Sequence, residues 1–193
     1  DNIKAAVLMA HAFNDWNVMP EHSVRIYTAL QDKDVPLQCY FHQGGHGGEP
    51  PLKQMNRWFT RYLYDIENNV EDDPKAWIVR ENAKRSEPTS YPDYPHPDAA
   101  PVILHLRADG NQVGKLRMGK KTGQAVATLV DDVALSGSNL AKAESSDNRL
   151  LFATPELVEP VHLSGTARIK IKVAASKPAA NLSIWLVSLP WTD

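Results

Sequence analysis

"VPLQCYFHQGGHGG", residues Val35–Gly48, is the stretch on which the reading of the fold turns. Its first half is mostly apolar and reads as a buried strand. Pro36 sits near the start, where a missing N–H is tolerated. The second half trades side-chain packing for backbone freedom: Gly44, Gly45, Gly47 and Gly48 surround His46. Glycine adopts positive φ without steric cost and leaves room beside the backbone. The expectation is a turn that delivers His46 into a cleft, with the glycines leaving space for a ligand.

Upstream, "IKAAVLMAHA", starting at Ile3, is a near-continuous apolar run, the mark of a strand buried on both faces of a parallel sheet. A polar turn, "FNDWN", separates it from "PEHSVRIYTALQDK", whose Pro20 and Glu21 suit a first helical turn. Val24, Tyr27, Ala29 and Leu30 give that helix a rough apolar stripe. Downstream, Leu52, Met55, Phe59, Tyr62, Leu63 and Ile66 recur at helical spacing, with Trp58 beside the stripe. Strand–helix–strand–helix with short links is a βαβα unit, with a right-handed crossover expected.

Beyond about residue 70 the composition changes. "ENNVEDDP" reads as a linker, and "KRSEPTSYPDYPHPDAAP" is too proline-rich for a helix or a central strand. Short strand-like pieces follow: "PVILHL", "AVATLV", "LLFAT", "VHLSGTARIKIKV" and "NLSIWLVSL". Short strands between Gly, Pro, Ser and Asn turns suggest a β-sandwich or jelly roll. The expected class is therefore α/β plus all-β, with residues 1–70 an α/β segment and 71–193 a jelly-roll-like sandwich.

The 193 residues carry a formal net charge of −2 and a pI near 6.4. That balance argues against a nucleic-acid or anionic-membrane partner. No apolar stretch approaches the ~20 residues of a membrane helix. The first residues lack a basic leader, so no signal peptide is expected. Cys39, the single cysteine, excludes an intrachain disulfide and reads as a small buried hydrophobe. The compartment stays open, as does the oligomeric state, a homo-oligomer included.

Two ionisable residues follow the two expected parallel strands: Asp15 after the first and His46 after the second. Ligands in open α/β sheets sit at the carboxyl ends of the strands. An acid after one strand and a histidine after the next is the back half of an α/β-hydrolase triad, which runs nucleophile, acid, histidine. The carboxylate would fix the imidazole's tautomer, and the other ring nitrogen would take a proton. Each residue also has a plainer reading, as a helix cap or a surface turn. A zinc site on His42 and His46 is disfavoured, because the glycines between them oppose the helix that such spacing needs. The acidic runs Asp131-Asp132 and Glu71-Asp72-Asp73 read as solvated turns. No G-x-S-x-G exists; "LSGSNL" (Leu135–Leu140) is the nearest cluster and reads as a turn. The nucleophile of any such triad is expected outside these residues.

"HAFNDWNVMP" (His11–Pro20) resembles the H-G-x-N-D-x-N-V segment of bacterial Xaa-Pro dipeptidyl-peptidases, with Asp15 matching the triad acid. "HQGGHG" resembles the loop of the triad histidine, matching His46 rather than His42. "NRLLFATPELVEPVHLSGTARIKIKV" (Asn148–Val173) is similar to the β-sandwich shared with cocaine-esterase-like acyl hydrolases. His11-Ala12 departs from the family's His-Gly. The resemblance implies a piece of a serine exopeptidase, incomplete at both ends. It implies peptides with proline at the second position as substrates, Asp15 and His46 as catalytic residues, and no cofactor. Asn14, Trp16 and Asn17 would shape the acid loop. An esterase of the same architecture is the enzymatic rival. The non-enzymatic rival is a carbohydrate-binding sandwich using Trp77, Tyr91, Tyr94, Trp185 or Trp191, with Trp185 better read as core.

Overall fold

A computed structural model describes residues 2–108, 113–119 and 126–190. The chain divides into two compact units, Asp1–Ala99 with Leu163–Thr166, and Ala100–His162 with Ala167–Asp193.

The first unit is built on a four-stranded sheet. Strand β1 (Val7–Ala12) leads through helix α1 (Pro20–Gln31) to β2 (Leu37–His42). The two strands pair in parallel, with Ala10 opposite Tyr40 and Ala12 opposite His42. Helix α2 (Leu52–Tyr64) follows, then β3 (Ala76–Ile78), parallel to β2, and β4 (Thr89–Tyr91), antiparallel to β3. The sheet order is β1-β2-β3-β4. The sheet therefore takes in chain well past residue 70. Pro88 and Pro92 flank β4, and an edge is where such a strand belongs.

Position in the sheet decides burial. All six residues of β2 are buried: the strand lies between β1 and β3, and Tyr27 and Leu30 of α1 pack with Leu37, Cys39 and Phe41. β1 was expected to be buried on both faces, but it lies at the edge and is mostly half-buried, with Ala10 exposed. The core gathers Tyr27 and Leu30 from α1, Leu37, Cys39 and Phe41 from β2, Ala76 and Ile78 from β3, and Tyr94. Burial pushes the Cys39 thiol up to about 12, so it is protonated and inert. Tyr94 meets Phe41 edge-on at 5.1 Å between ring centroids, which removes it from the exposed aromatics. Asp93 fixes this region to α1: one carboxylate oxygen accepts from the Tyr27 hydroxyl at 2.7 Å and from Gln31 Nε2 at 2.9 Å.

The apolar stripe expected on α2 is largely exposed, at Leu52, Phe59, Leu63 and Ile66. Trp58 is the residue it buries, 4.6 Å from the Tyr62 ring. Ion pairs clip the helix to the turn that follows. The Asp73 carboxylate accepts two N–H groups of Arg57, at 2.8 and 3.0 Å, and Arg61 pairs with Glu71 and Asp65. Two of the acidic residues read as solvated are thus partners of arginines.

The second unit contains a three-stranded sheet in the order β5-β6-β7, formed by β5 (His105–Arg107), β6 (Val113–Arg117) and β7 (Leu151–Ala153). β6 runs antiparallel to β5 and parallel to β7. Gly114 is required there, because a Cβ would stand 2.5 Å from the Phe152 ring. "LSGSNL" is not a turn but the start of a short helix, α3 (Gly137–Lys142), and the Ser136 hydroxyl accepts the Asn139 N–H as its cap. Arg168–Val173, which alternates like a strand, forms no ladder; Ile169, Ile171 and Val173 are exposed. Alternation stabilises a strand only where a partner edge and a buried face are available. The expected strand in 181–189 likewise forms no ladder, and Trp185 is 36% exposed, its ring over Gly137. Trp191 lies outside the described residues.

Candidate active site

The parallel pairing of β1 with β2 ends at Ala12 and His42, so both chains leave the sheet at the same end. The Phe13 N–H donates to the His42 carbonyl at 2.8 Å, extending the ladder by one step. The Asn14 side chain then donates to the Gln43 carbonyl at 2.7 Å and ties the two loops together. Phe13 anchors the acid loop below, its ring 5.4 Å from Phe41.

Asp15 and His46 meet across this junction. His46 Nδ1 lies 3.0 Å from Asp15 Oδ2. The carboxylate is nearly inaccessible, with 4% of its side chain exposed, whereas the His46 side chain is 62% exposed. The other oxygen, Oδ1, accepts the backbone N–H groups of Asn17 and Val18, each at 2.9 Å. The Val18 N–H is the chief reason the Asp15 carboxyl titrates below its ordinary range; burial opposes this, and His46 and Asn17 reinforce it. An ionised Asp15 accepts, so His46 donates from Nδ1–H and carries its basic lone pair on Nε2. Nε2 has no hydrogen-bond partner among the described residues.

His42 does different work. Its Nδ1 accepts the Gly44 N–H at 3.0 Å, which leaves Nε2–H to donate to the Gly47 carbonyl at 2.9 Å. Both nitrogens are used, and burial, aided by the Arg85 charge, lowers its pKa and keeps it neutral. The ring is the staple around which the glycine turn is wound. This alters the reading of the glycines. A Cβ on Gly44 would stand 2.8 Å from His42 Nδ1, and one on Gly48 would strike the same ring and the Arg85 guanidinium. Of the four glycines around His46, Gly47 and Gly48 have positive φ, at 84° and 112°. The space beside Gly44 and Gly48 is thus filled by His42 rather than left for a ligand. Gly45 alone faces open space without a positive φ.

Asn17 acts through its backbone N–H, and Trp16 is 65% exposed. His11, which opens the motif containing Asp15, also reaches this site: its Nε2 lies 3.5 Å from Asp15 Oδ2 and its Nδ1 2.6 Å from the Ser23 hydroxyl, contacts that nothing in the sequence signalled. Among the described residues no group of three or more His, Cys, Asp or Glu is placed to hold a metal ion.

A parallel strand pair with an acid after one strand and a histidine after the next fits a piece of an α/β-hydrolase protein. The chain belongs to the X-Pro dipeptidyl-peptidase family: the profile described as "X-Pro dipeptidyl-peptidase C-terminal non-catalytic domain" matches residues 68–190, and that described as "X-Pro dipeptidyl-peptidase (S15 family)" matches residues 1–48. A protein of Rhodopirellula baltica carrying this peptidase family's name is 56% identical over 191 residues, which are 99% of this chain and 30% of that protein. A Xaa-Pro dipeptidyl-peptidase of Lactobacillus delbrueckii is 26% identical over 98% of this chain and 26% of its own length. Among solved structures, a CocE/NonD family hydrolase from Staphylococcus aureus aligns with 63% of this chain and 22% of its own, at a TM-score of 0.49 and 20% identity. The chain thus spans less than a third of the curated relatives named here.

Proposed function

We propose that this chain supplies the acid and the histidine of a serine exopeptidase that releases Xaa-Pro dipeptides from peptide amino termini. The observation that carries the reading is the Asp15–His46 pair, with one imidazole nitrogen bound to a buried carboxylate and the other open. His46 Nε2 takes the proton of a serine hydroxyl as its oxygen attacks the scissile carbonyl. The same nitrogen then gives that proton to the leaving amine. Asp15 holds the ring in the Nδ1–H tautomer and stabilises the imidazolium between the two transfers. The serine and the oxyanion donors come from the remainder of a longer protein, in keeping with the fraction of its relatives that the chain spans. Proline specificity rests on the family alone. The chain beyond the first unit, from about Ala100, is read as the jelly-roll-like part, and the profile matched at residues 68–190 supports a non-catalytic role for it.

The test is hydrolysis of Xaa-Pro anilides, beside simple esters, by the full gene product. His46→Ala is expected to lower kcat by about 10,000-fold or more with KM little changed. Xaa-Pro cleavage at the wild-type rate in that variant would overturn the reading, and preference for esters would reassign the substrate.

A further inference from the structure

We infer that His11 is a positioning residue for the Asp15–His46 pair, acting as a hydrogen-bond donor that locks the turn around the Asp15 carboxylate. The inference rests on the function proposed above. His11 is the second-last residue of β1, and only 9% of its side chain is exposed. Both ring nitrogens are occupied. Nδ1 lies 2.6 Å from the Ser23 hydroxyl on α1, and Nε2 lies 2.9 Å from the Val18 carbonyl. Nε2 is also 3.5 Å from Asp15 Oδ2, the oxygen that receives His46.

The tautomer follows from these partners. Nε2 faces two acceptors, a carbonyl and a carboxylate, so it carries the proton. Nδ1 is then the acceptor, and the Ser23 hydroxyl, which can rotate, donates to it. Ser23 thereby fixes the ring in the one state that can serve the loop. Val18 is the hinge of the arrangement: its N–H donates to Asp15 Oδ1 while its C=O accepts from His11. Removing the His11 donor leaves that carbonyl unpaired and frees the turn carrying the carboxylate's main donor. Oδ2 also loses the second N–H dipole facing it. Asp15 would keep its charge but lose its fixed position, and His46 takes its orientation from Asp15. A misplacement of about 1 Å in a catalytic group costs on the order of 100-fold in rate. The sequence carries the device in compact form, because His11 and Asp15 sit four residues apart on either side of one turn.

The test uses the full gene product with Xaa-Pro anilides. His11→Leu removes the donor, and His11→Gln returns an N–H to the place of Nε2. Expected are a kcat lower by about 10- to 100-fold in His11→Leu with KM within about twofold, and recovery of most of that loss in His11→Gln. The downfield NMR signal of the His46 Nδ1 proton should broaden or move upfield in His11→Leu and persist in His11→Gln, a change that lost packing alone would not produce. Wild-type kcat in His11→Leu overturns the inference, as does a His11→Gln variant no better than His11→Leu. If His11→Leu does not fold, Ser23→Ala decides: a three- to tenfold lower kcat at constant KM supports the inference, and an unchanged kcat overturns it. His46→Ala in the same assay separates the two levels. If it is inactive while the His11 variants are normal, only the positioning role fails; if it is active, the function proposed for the pair fails.

Discussion

The loop after β1 and the loop after β2 leave neighbouring strands at the same end of one sheet, yet they are made in opposite ways. Between Phe13 and Met19 there is no glycine, and the turn closes on its own Asp15, whose carboxylate is buried and receives two backbone N–H groups. Between Gln43 and Glu49 four of five residues are glycine, and the turn closes on His42, the residue before it, leaving His46 exposed. The first loop holds a charge still, which calls for fixed donors and little freedom. The second presents a ring to solvent and needs a backbone that bends sharply around a rigid post. Burial and exposure are divided between the partners of a single hydrogen bond.

The largest test of this division exchanges the acid for its neutral isostere. Asp15→Asn keeps the shape of the acid loop but offers His46 a side chain that can favour the other tautomer. A loss of about 10,000-fold in kcat is expected in the full gene product, with KM and melting temperature nearly unchanged. A loss below about tenfold would mean that His46 does not depend on its buried partner. A second comparison stays within the glycine loop. Gly48→Ala puts a Cβ against the His42 ring and Arg85 at a φ of 112°, and about 1–3 kcal/mol of stability should go with it in chemical denaturation. Gly45→Ala meets nothing within 4 Å and should stay within about 0.5 kcal/mol of wild type. Equal losses at both positions would break the view of His42 as a post.

The smallest effect is in pH dependence. His42 has a folded-state pKa below its unfolded value of about 6.5, so the folded state disfavours its proton. The stability it contributes is complete above that unfolded value. It should decline as pH falls towards the depressed folded-state value. Melting temperatures between pH 7.5 and 5 should therefore fall more steeply in wild type than in His42→Gln. Parallel curves would place the imidazolium comfortably inside the loop, against the geometry described.

Much of the first unit was legible because its signals were long. The apolar run ending at Ala12, the proline at the start of α1 and the run from Leu37 each specify an element, and their order sets Asp15 beside His46. Shorter elements were silent: three residues such as Ala76–Ile78 or Thr89–Tyr91 have no period to detect, and their pairing is decided by the edges on offer, that of β2 for the first and that of β3 for the second. Tyr94 stands in a proline-rich stretch with no period to mark it as core, and it read as a candidate exposed aromatic or the cover of a sheet edge, whereas its ring packs in the core beside Phe41. The glycines were legible as freedom but not as exclusion, since the ring that fills the space beside them belongs to a residue two to six positions earlier. In the second unit the alternation of "RIKIKV" is real, but a period describes a strand's faces and says nothing about its edges.

The parallel register of β1 with β2 acts as a ruler for the site. Ala12 stands opposite His42, and Asp15 and His46 lie a fixed few residues beyond that rung. A slip of one residue in the pairing would move one loop by about 3.3 Å past the other and reverse every side chain in the strand. That displacement exceeds the 3.0 Å that joins Asp15 to His46. Insertions in the crossover between α1 and β2 would leave the ruler untouched. A single deletion within Val7–Ala12 or Leu37–His42 would separate the pair, however well the domain still folded.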